Sequence, residues 1–176
     1  VAALTFFASF FIYFSTMAST VSYWDCGEFI ATAHTLGVPH PPGSPFFLLI
    51  GRVISMLPFH TDVAFRVNIL SPLSSALAVM LLYLVVVKVV THWRGKIENS
   101  TDAIIAFGGA AVGAMAFAFT DSHWFNAVEA EVYAISTFFT AIVVWLILLW
   151  SEKADEAGHE RYILIIAYMM GLATGL

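Results

Sequence analysis

Long apolar runs separated by short polar stretches set the pattern of this chain. The first, Ala2 to Thr20, is barely long enough to cross a bilayer, which takes about 20 mostly apolar residues. Val63 to Val90, Asp102 to Thr120 and Val132 to Trp150 follow, and Tyr162 opens another. Phe46 to Leu57 differs. It lies between Pro45 and Pro58 and contains Arg52, and a run this short belongs to an interfacial or re-entrant helix. Ser44 as cap and Pro45 at the first helical position predict its start. Inside Asp102 to Thr120, "FGGAAVGAMA" predicts a small-residue face on which helices approach closely. The fold expected is all-α, a multipass transmembrane bundle of about five membrane helices and one interfacial helix.

Basic residues orient these runs. Lys88, Arg94 and Lys96 fall in one loop and Lys153 and Arg161 in another, whereas Ser19 to Pro45 and Thr120 to Ala130 hold no Lys or Arg. The positive-inside rule makes the first pair cytoplasmic and the second pair external. This parity closes only if Phe46 to Leu57 does not cross. Outer loop 1, residues 20–62, and outer loop 2, residues 120–131, then share one face. The chain opens within an apolar run at Val1 and stops within another at "YMMGLATGL", with no signal-peptide pattern at its start. It therefore reads as the N-terminal part, residues 1–176, of a longer transmembrane module.

Composition strengthens the membrane reading. Charged residues make up 11% of the 176 and hydrophobic ones 60%, where a soluble domain carries about 25% charged residues. A net charge of -5 with seven Lys and Arg excludes the basic face that a nucleic-acid partner needs. One cysteine, Cys26, excludes an internal disulfide framework and a multi-cysteine metal site. It reads as a small apolar filler.

Polar chemistry collects in the two outer loops. In "YWDCGEFIATAHTLGVPHPPGSPFF" stand Asp25, Glu28, His34 and His40, and in "TDSHWFNAVEAEVYA" stand Asp121, His123, Glu129 and Glu131. Acids this close to a bilayer are costly and point to a functional site. Asp25 and Glu28 also have the form of a capping box opening a helix, as do Asn126 and Glu129. His123, Ala127 and Glu131 follow four-residue steps, which would put His123 and Glu131 on one helical face. "HPPGSP" predicts an extended segment, a sharp bend and a helix start, a rigid corner that would hold His40 near Asp25. Arg52 and Arg66 lie on the outer side against the charge rule, either snorkelling to head groups or attracting a phosphate, for which the planar guanidinium fork is suited. No His-Glu-x-x-His or Cys-x-x-Cys occurs, so no residue is assigned to a metal; a divalent ion among the carboxylates has no ligand motif behind it.

An Asp just after the first span, "HPPG" before a short surface helix and a second acidic outer loop together resemble the GT-C glycosyltransferases. More narrowly, "SYWDCGEFIATAHTLGVPHPPGSPFFLLIGRVISMLP" with "NAVEAEVYA" is similar to a family of large bacterial membrane proteins related to a eukaryotic protein O-mannosyltransferase of the endoplasmic reticulum. The resemblance covers nearly the whole chain. It implies a multipass enzyme of the bacterial cytoplasmic membrane, with its site facing outside. The enzyme would move a sugar such as mannose from a polyprenyl-phosphate carrier to an acceptor hydroxyl on protein or glycan, with inversion. It places the general base at Asp25, where a carboxylate can take the hydroxyl's proton. Glu28 does not fill the adjacent place of the Asp-Glu pair seen in several relatives. Glu129, Glu131 and Tyr133 match the second outer loop by location.

The expected function is thus a membrane glycosyltransferase, with Asp25 catalytic. Glu28, His40, His123, Glu129, Glu131 and Tyr133 support it or contact the acceptor, and Arg52 and Arg66 are phosphate candidates. Its partners are the bilayer, the lipid-linked sugar donor, which is substrate and not cofactor, and the acceptor. The alternative is a proton-coupled transporter or lipid flippase, and a structural assembly subunit is a third class. Transporters place ionisable groups near the bilayer midplane, whereas the acids here gather in the outer loops.

Overall fold

The computed structural model describes residues 1–95 and 97–176, so Lys96 of the basic loop lies outside the described residues. Among these residues the chain is all helical, without strands. In order come α1 (Ala2–Thr16), α2 (Cys26–Thr35), α3 (Pro45–Met56), α4 (Val63–Asn68), α5 (Leu70–Arg94) and α6 (Ser100–Ala103). A π-helical turn (Ile104–Gly108) leads into α7 (Gly109–Ala118), followed by α8 (Asp121–Ala127), α9 (Val132–Ser151) and α10 (Glu160–Ala173). Among the described residues, three stretches are long and apolar enough to cross a membrane: Val63–Arg94, Ser100–Ala118 and Val132–Ser151. With 15 residues in α1 and 14 in α10, the first and last of the expected spans fall short of the about 20 residues of a full crossing.

Each departure from the expected runs has a local cause. α1 stops at Thr16 and not Thr20, because Met17 turns extended (φ -61°, ψ 143°) and the Ala18 N–H donates to the Val128 carbonyl at 2.8 Å. The run from Val63 breaks at Ile69. Pro72 has no N–H to offer the carbonyl four residues back, and that carbonyl belongs to Asn68, where α4 ends. The small-residue face on α7 is built from alanines. Ala106, Ala110, Ala114 and Ala118 are buried at four-residue spacing, whereas a methyl on Gly109 or Gly113 would meet nothing within 4 Å. Ala110, Ala114 and Ala118 pack with Tyr13, Ala76, Val79 and Tyr83 in one core, and the Tyr13 hydroxyl donates to the Ala118 carbonyl at 2.7 Å.

A second core joins α2, α3 and α4 to the start of α9 through Phe29, Ala33, Phe47, Val67 and Ile135. Gly51 lets α3 lie against α2: a methyl there would stand 2.9 Å from the Ala33 methyl. α3 begins at Ser44 as expected, but Ser44 makes no side-chain cap bond and sits at φ 39°. Both ends of α3 stay at one end of the bundle. The Phe46 N–H donates to the Gly175 carbonyl at 2.7 Å, and the Leu57 carbonyl accepts from Arg66 Nη1 at 3.0 Å. With 12 residues, α3 is shorter than the about 20 that a full crossing takes. At the other end the Lys88 ammonium meets the Glu152 carboxylate at 2.8 Å, bringing the two basic loops together.

Candidate functional site

Asp25 sits where α2 begins. The residue before it, Trp24, has φ 65°, a left-handed conformation that costs a bulky L-residue roughly 1–2 kcal/mol. Asp25 occupies the cap position in helical conformation but makes no side-chain cap bond. The expected capping box is therefore not formed. Its would-be partner Glu28 turns to the proline corner, where Oε1 accepts the His40 backbone N–H at 2.8 Å and Oε2 accepts His40 Nδ1–H at 2.7 Å. The corner makes this reach possible. The Gly43 N–H donates back to the His40 carbonyl at 3.0 Å, and Gly43 adopts φ 97°, which glycine tolerates without a Cβ penalty.

Glu131 arrives from the other loop. It caps α9 in extended conformation (φ -132°, ψ 150°), the place expected for Asn126, whose side chain instead bonds the Ser122 carbonyl at 2.7 Å. Glu131 is 8% exposed, and Cys26 Sγ–H donates to its Oε1 at 3.5 Å. Cys26 is thus a buried tether between the two loops as well as a filler. Asp25, Phe29, His40, Ser44, Glu131 and Tyr133 line one cleft of about 300 Å³. Asp25, Glu28 and His40 hold donor atoms within 4.8 Å of one another. Because both Glu28 oxygens already accept from His40, this is a carboxylate–imidazole pair beside a free carboxylate.

The electrostatics follow from these contacts. The bond to His40 holds the Glu28 carboxyl below the usual carboxylate range. The same bond raises His40 above the ordinary imidazole value, helped by the charges of Glu28, Asp25 and Glu131. Burial raises Glu131, reinforced by the Glu129 and Asp25 charges and opposed by the Cys26 hydrogen bond. Burial pushes the Cys26 thiol up to about 12, with Glu129 and Glu131 adding to the shift, so it stays a thiol and not a nucleophilic thiolate. The cleft thus offers an open carboxylate at Asp25, a protonatable imidazole at His40 and a carboxyl at Glu131 biased to its neutral form.

Other candidates lie elsewhere. α8 ends at Ala127, so His123 and Glu131 do not share a helical face. His123 is buried between Phe117 and Tyr13, at ring centroid distances of 4.3 and 6.0 Å. Glu129 is buried beside Cys26 and Glu131 and does not line the cleft. Arg52 donates to the His34 carbonyl and Arg66 to the Leu57 carbonyl. Both arginines fasten backbone, and neither lines the cleft.

Asn68, absent from the sequence-based candidates, joins the loops. It is fully buried, its Nδ2 donates to the Ala18 and Thr20 carbonyls at 2.8 and 3.0 Å, and its Oδ1 accepts the Ala130 N–H at 3.1 Å. A lone amide inside an apolar run is the signal that could have found it, since such side chains bond across helices.

The profile of the family described as Protein O-mannosyl-transferase TMEM260 N-terminal domain matches residues 25–176, which include Asp25, Glu28, His40 and Glu131. The chain is similar to the protein O-mannosyl-transferase tmem260 of Dictyostelium discoideum, 30% identical over 162 residues, which covers 90% of the chain and 18% of that protein. It is also similar to the protein O-mannosyl-transferase TMEM260 of Mus musculus, 31% identical over 159 residues, covering 90% of the chain and 20% of that protein. The chain therefore spans about a fifth of the length of these curated relatives. No solved structure matches it. With 90% of its length aligned to these relatives and the whole cleft inside the matched region, the chain belongs to the TMEM260 N-terminal domain family and is an integral membrane protein.

Proposed function

We propose that this chain carries the base side of the active site of a membrane glycosyltransferase of the GT-C kind, acting on protein at the extracytoplasmic face. The donor is a polyprenyl-phosphate sugar, with mannose the sugar in the names of the relatives, and the acceptor is a side-chain hydroxyl. The hydroxyl oxygen attacks the anomeric carbon as its proton passes to the Asp25 carboxylate. The bond from that carbon to the phosphate oxygen breaks, and its electron pair leaves with the polyprenyl phosphate. Attack opposite the leaving group inverts the anomeric configuration. Phosphate departs without a strong acid, so one carboxylate base suffices.

One observation carries this reading: Asp25 sits at a helix mouth without a capping role and is open to a cleft that a second acidic loop completes. The face is supported by charge, since the loops forming the cleft hold no Lys or Arg between Ser19 and Pro45 or between Thr120 and Ala130. The natural full-length protein, purified into nanodiscs with an acceptor polypeptide, should transfer labelled mannose from polyprenyl-phosphate mannose and not from a nucleotide-linked mannose. Transfer from the nucleotide sugar alone would reverse the donor assignment.

A further inference from the structure

Resting on the transferase reading, we infer that His40 is the cationic contact for the donor's phosphate ester, and that Glu28 is the residue that positions it. The arginines that suit a phosphate by chemistry are engaged with the carbonyls of His34 and Leu57 and stand outside the cleft. Among the described residues that line the cleft, His40 alone can carry positive charge.

Its geometry fits the task. Glu28 takes the backbone N–H of His40 with one oxygen and Nδ1–H with the other. Chain and ring are fixed together, and Nε2 is left as the free ring donor. A carboxylate on the far nitrogen sets the tautomer and the orientation of an imidazole in this way. Phe29 supports the ring at a centroid distance of 5.8 Å. Asp25, with a carboxylate oxygen within 4.8 Å of the His40 donor atom, puts the proton acceptor and the phosphate contact side by side.

The charge balance of the reaction explains why a cation belongs there. A sugar phosphodiester carries one negative charge, and the polyprenyl monoester that leaves carries up to two. The electron pair of the broken bond settles on the phosphate oxygen while the acceptor's proton goes to Asp25. An Nε2–H hydrogen bond therefore strengthens as the reaction proceeds, which is the differential stabilisation that raises rate. It also offsets repulsion between Asp25 and the incoming phosphate. The groups facing His40 are Asp25 and Glu28 from α2, Glu131 and Tyr133 from the head of α9, and Ser44 from the head of α3. The Glu28 bond and the surrounding acids favour its charged form.

Binding of farnesyl methyl phosphate, a phosphodiester whose charge is constant across the window, is compared with farnesol on the full-length protein in neutral-lipid nanodiscs between about pH 6 and pH 9. Wild type should prefer the phosphodiester by about tenfold or more at the acidic end and lose that preference as pH rises through the raised His40 value. His40→Gln should show no preference at any pH. Glu28→Gln keeps an acceptor but removes its charge, so the loss should move to lower pH. His40→Lys should restore the preference without the pH dependence, because lysine titrates near about 10.4.

Unfolding midpoints establish that each variant is folded. If His40→Gln is not, the Glu28→Gln shift and the His40→Lys rescue decide. A wild-type profile retained in His40→Gln or Glu28→Gln, or no phosphodiester preference in wild type, would overturn the assignment. Failure of wild type to transfer from polyprenyl-phosphate mannose would instead overturn the underlying transferase reading.

Discussion

Side chains that look alike in the sequence do different work once folded. His40 and His123 both stand in acidic loops, yet His40 opens onto the cleft and His123 is buried against Phe117, with its Nε2 lacking a partner. Burial lowers the His123 imidazole below its usual value, against a bond to the Ser75 backbone. Between that lowered value and about 6.5 the unfolded chain binds more protons, so stability rises with pH across this window and falls on acidification. His123→Phe keeps an aromatic ring in place and removes the titration. Unfolding midpoints followed from neutral to mildly acidic pH should fall less in this variant than in wild type. Parallel profiles would mean that His123 does not titrate in the folded core. Asp25, Glu28 and His40 were legible as a group, because the acids lie one helical turn apart and the proline corner limits where His40 can go. Their pairing was not: Glu28 was free either to cap α2 or to reach the corner, and the choice rests on the turn closed by Gly43.

Between elements, Asn68 binds three backbone groups, two from the segment after α1 and one from the segment before α9. Asn68→Ala leaves the buried Ala130 N–H without its partner and frees the part-buried Ala18 and Thr20 carbonyls. At about 1–3 kcal/mol for a buried group left without a partner, a loss of about 1–3 kcal/mol is expected, read as a fall in unfolding midpoint in detergent or nanodiscs. Transfer should fall with it, because Asp25 and Glu131 belong to the loops that this amide joins. A midpoint within about 0.5 kcal/mol of wild type, the range of an ordinary surface substitution, would contradict the clamp. Hydrophobic run length gave most helices to within a few residues. It missed the end of α1 at Thr16 and the break at Ile69, because the first depends on the Ala18 N–H bonding the distant Val128 carbonyl and the second on the donor that Pro72 lacks, neither of which a count of apolar residues registers.

Over the whole molecule, the two kinds of loop separate to opposite ends of the bundle. Lys88 and Glu152 mark one end, and Asp25, His40 and Glu131 mark the other. This separation was readable from charge alone, given that α3 returns to the end from which it starts. The direction in which each loop residue faces was not, since His123, Arg52 and Arg66 are turned away from the cleft by contacts with distant segments. In the proposed reaction Asp25 takes the proton of the acceptor hydroxyl. Its most direct test is transfer of labelled mannose from polyprenyl-phosphate mannose by full-length Asp25→Asn, beside wild type at equal unfolding midpoint. Asn matches Asp in size and Asp25 makes no cap bond, so the variant should fold and bind donor while its rate falls by about 100-fold or more. A folded Asp25→Asn protein that transfers mannose at the wild-type rate would contradict the account, and the base would have to be sought on another residue.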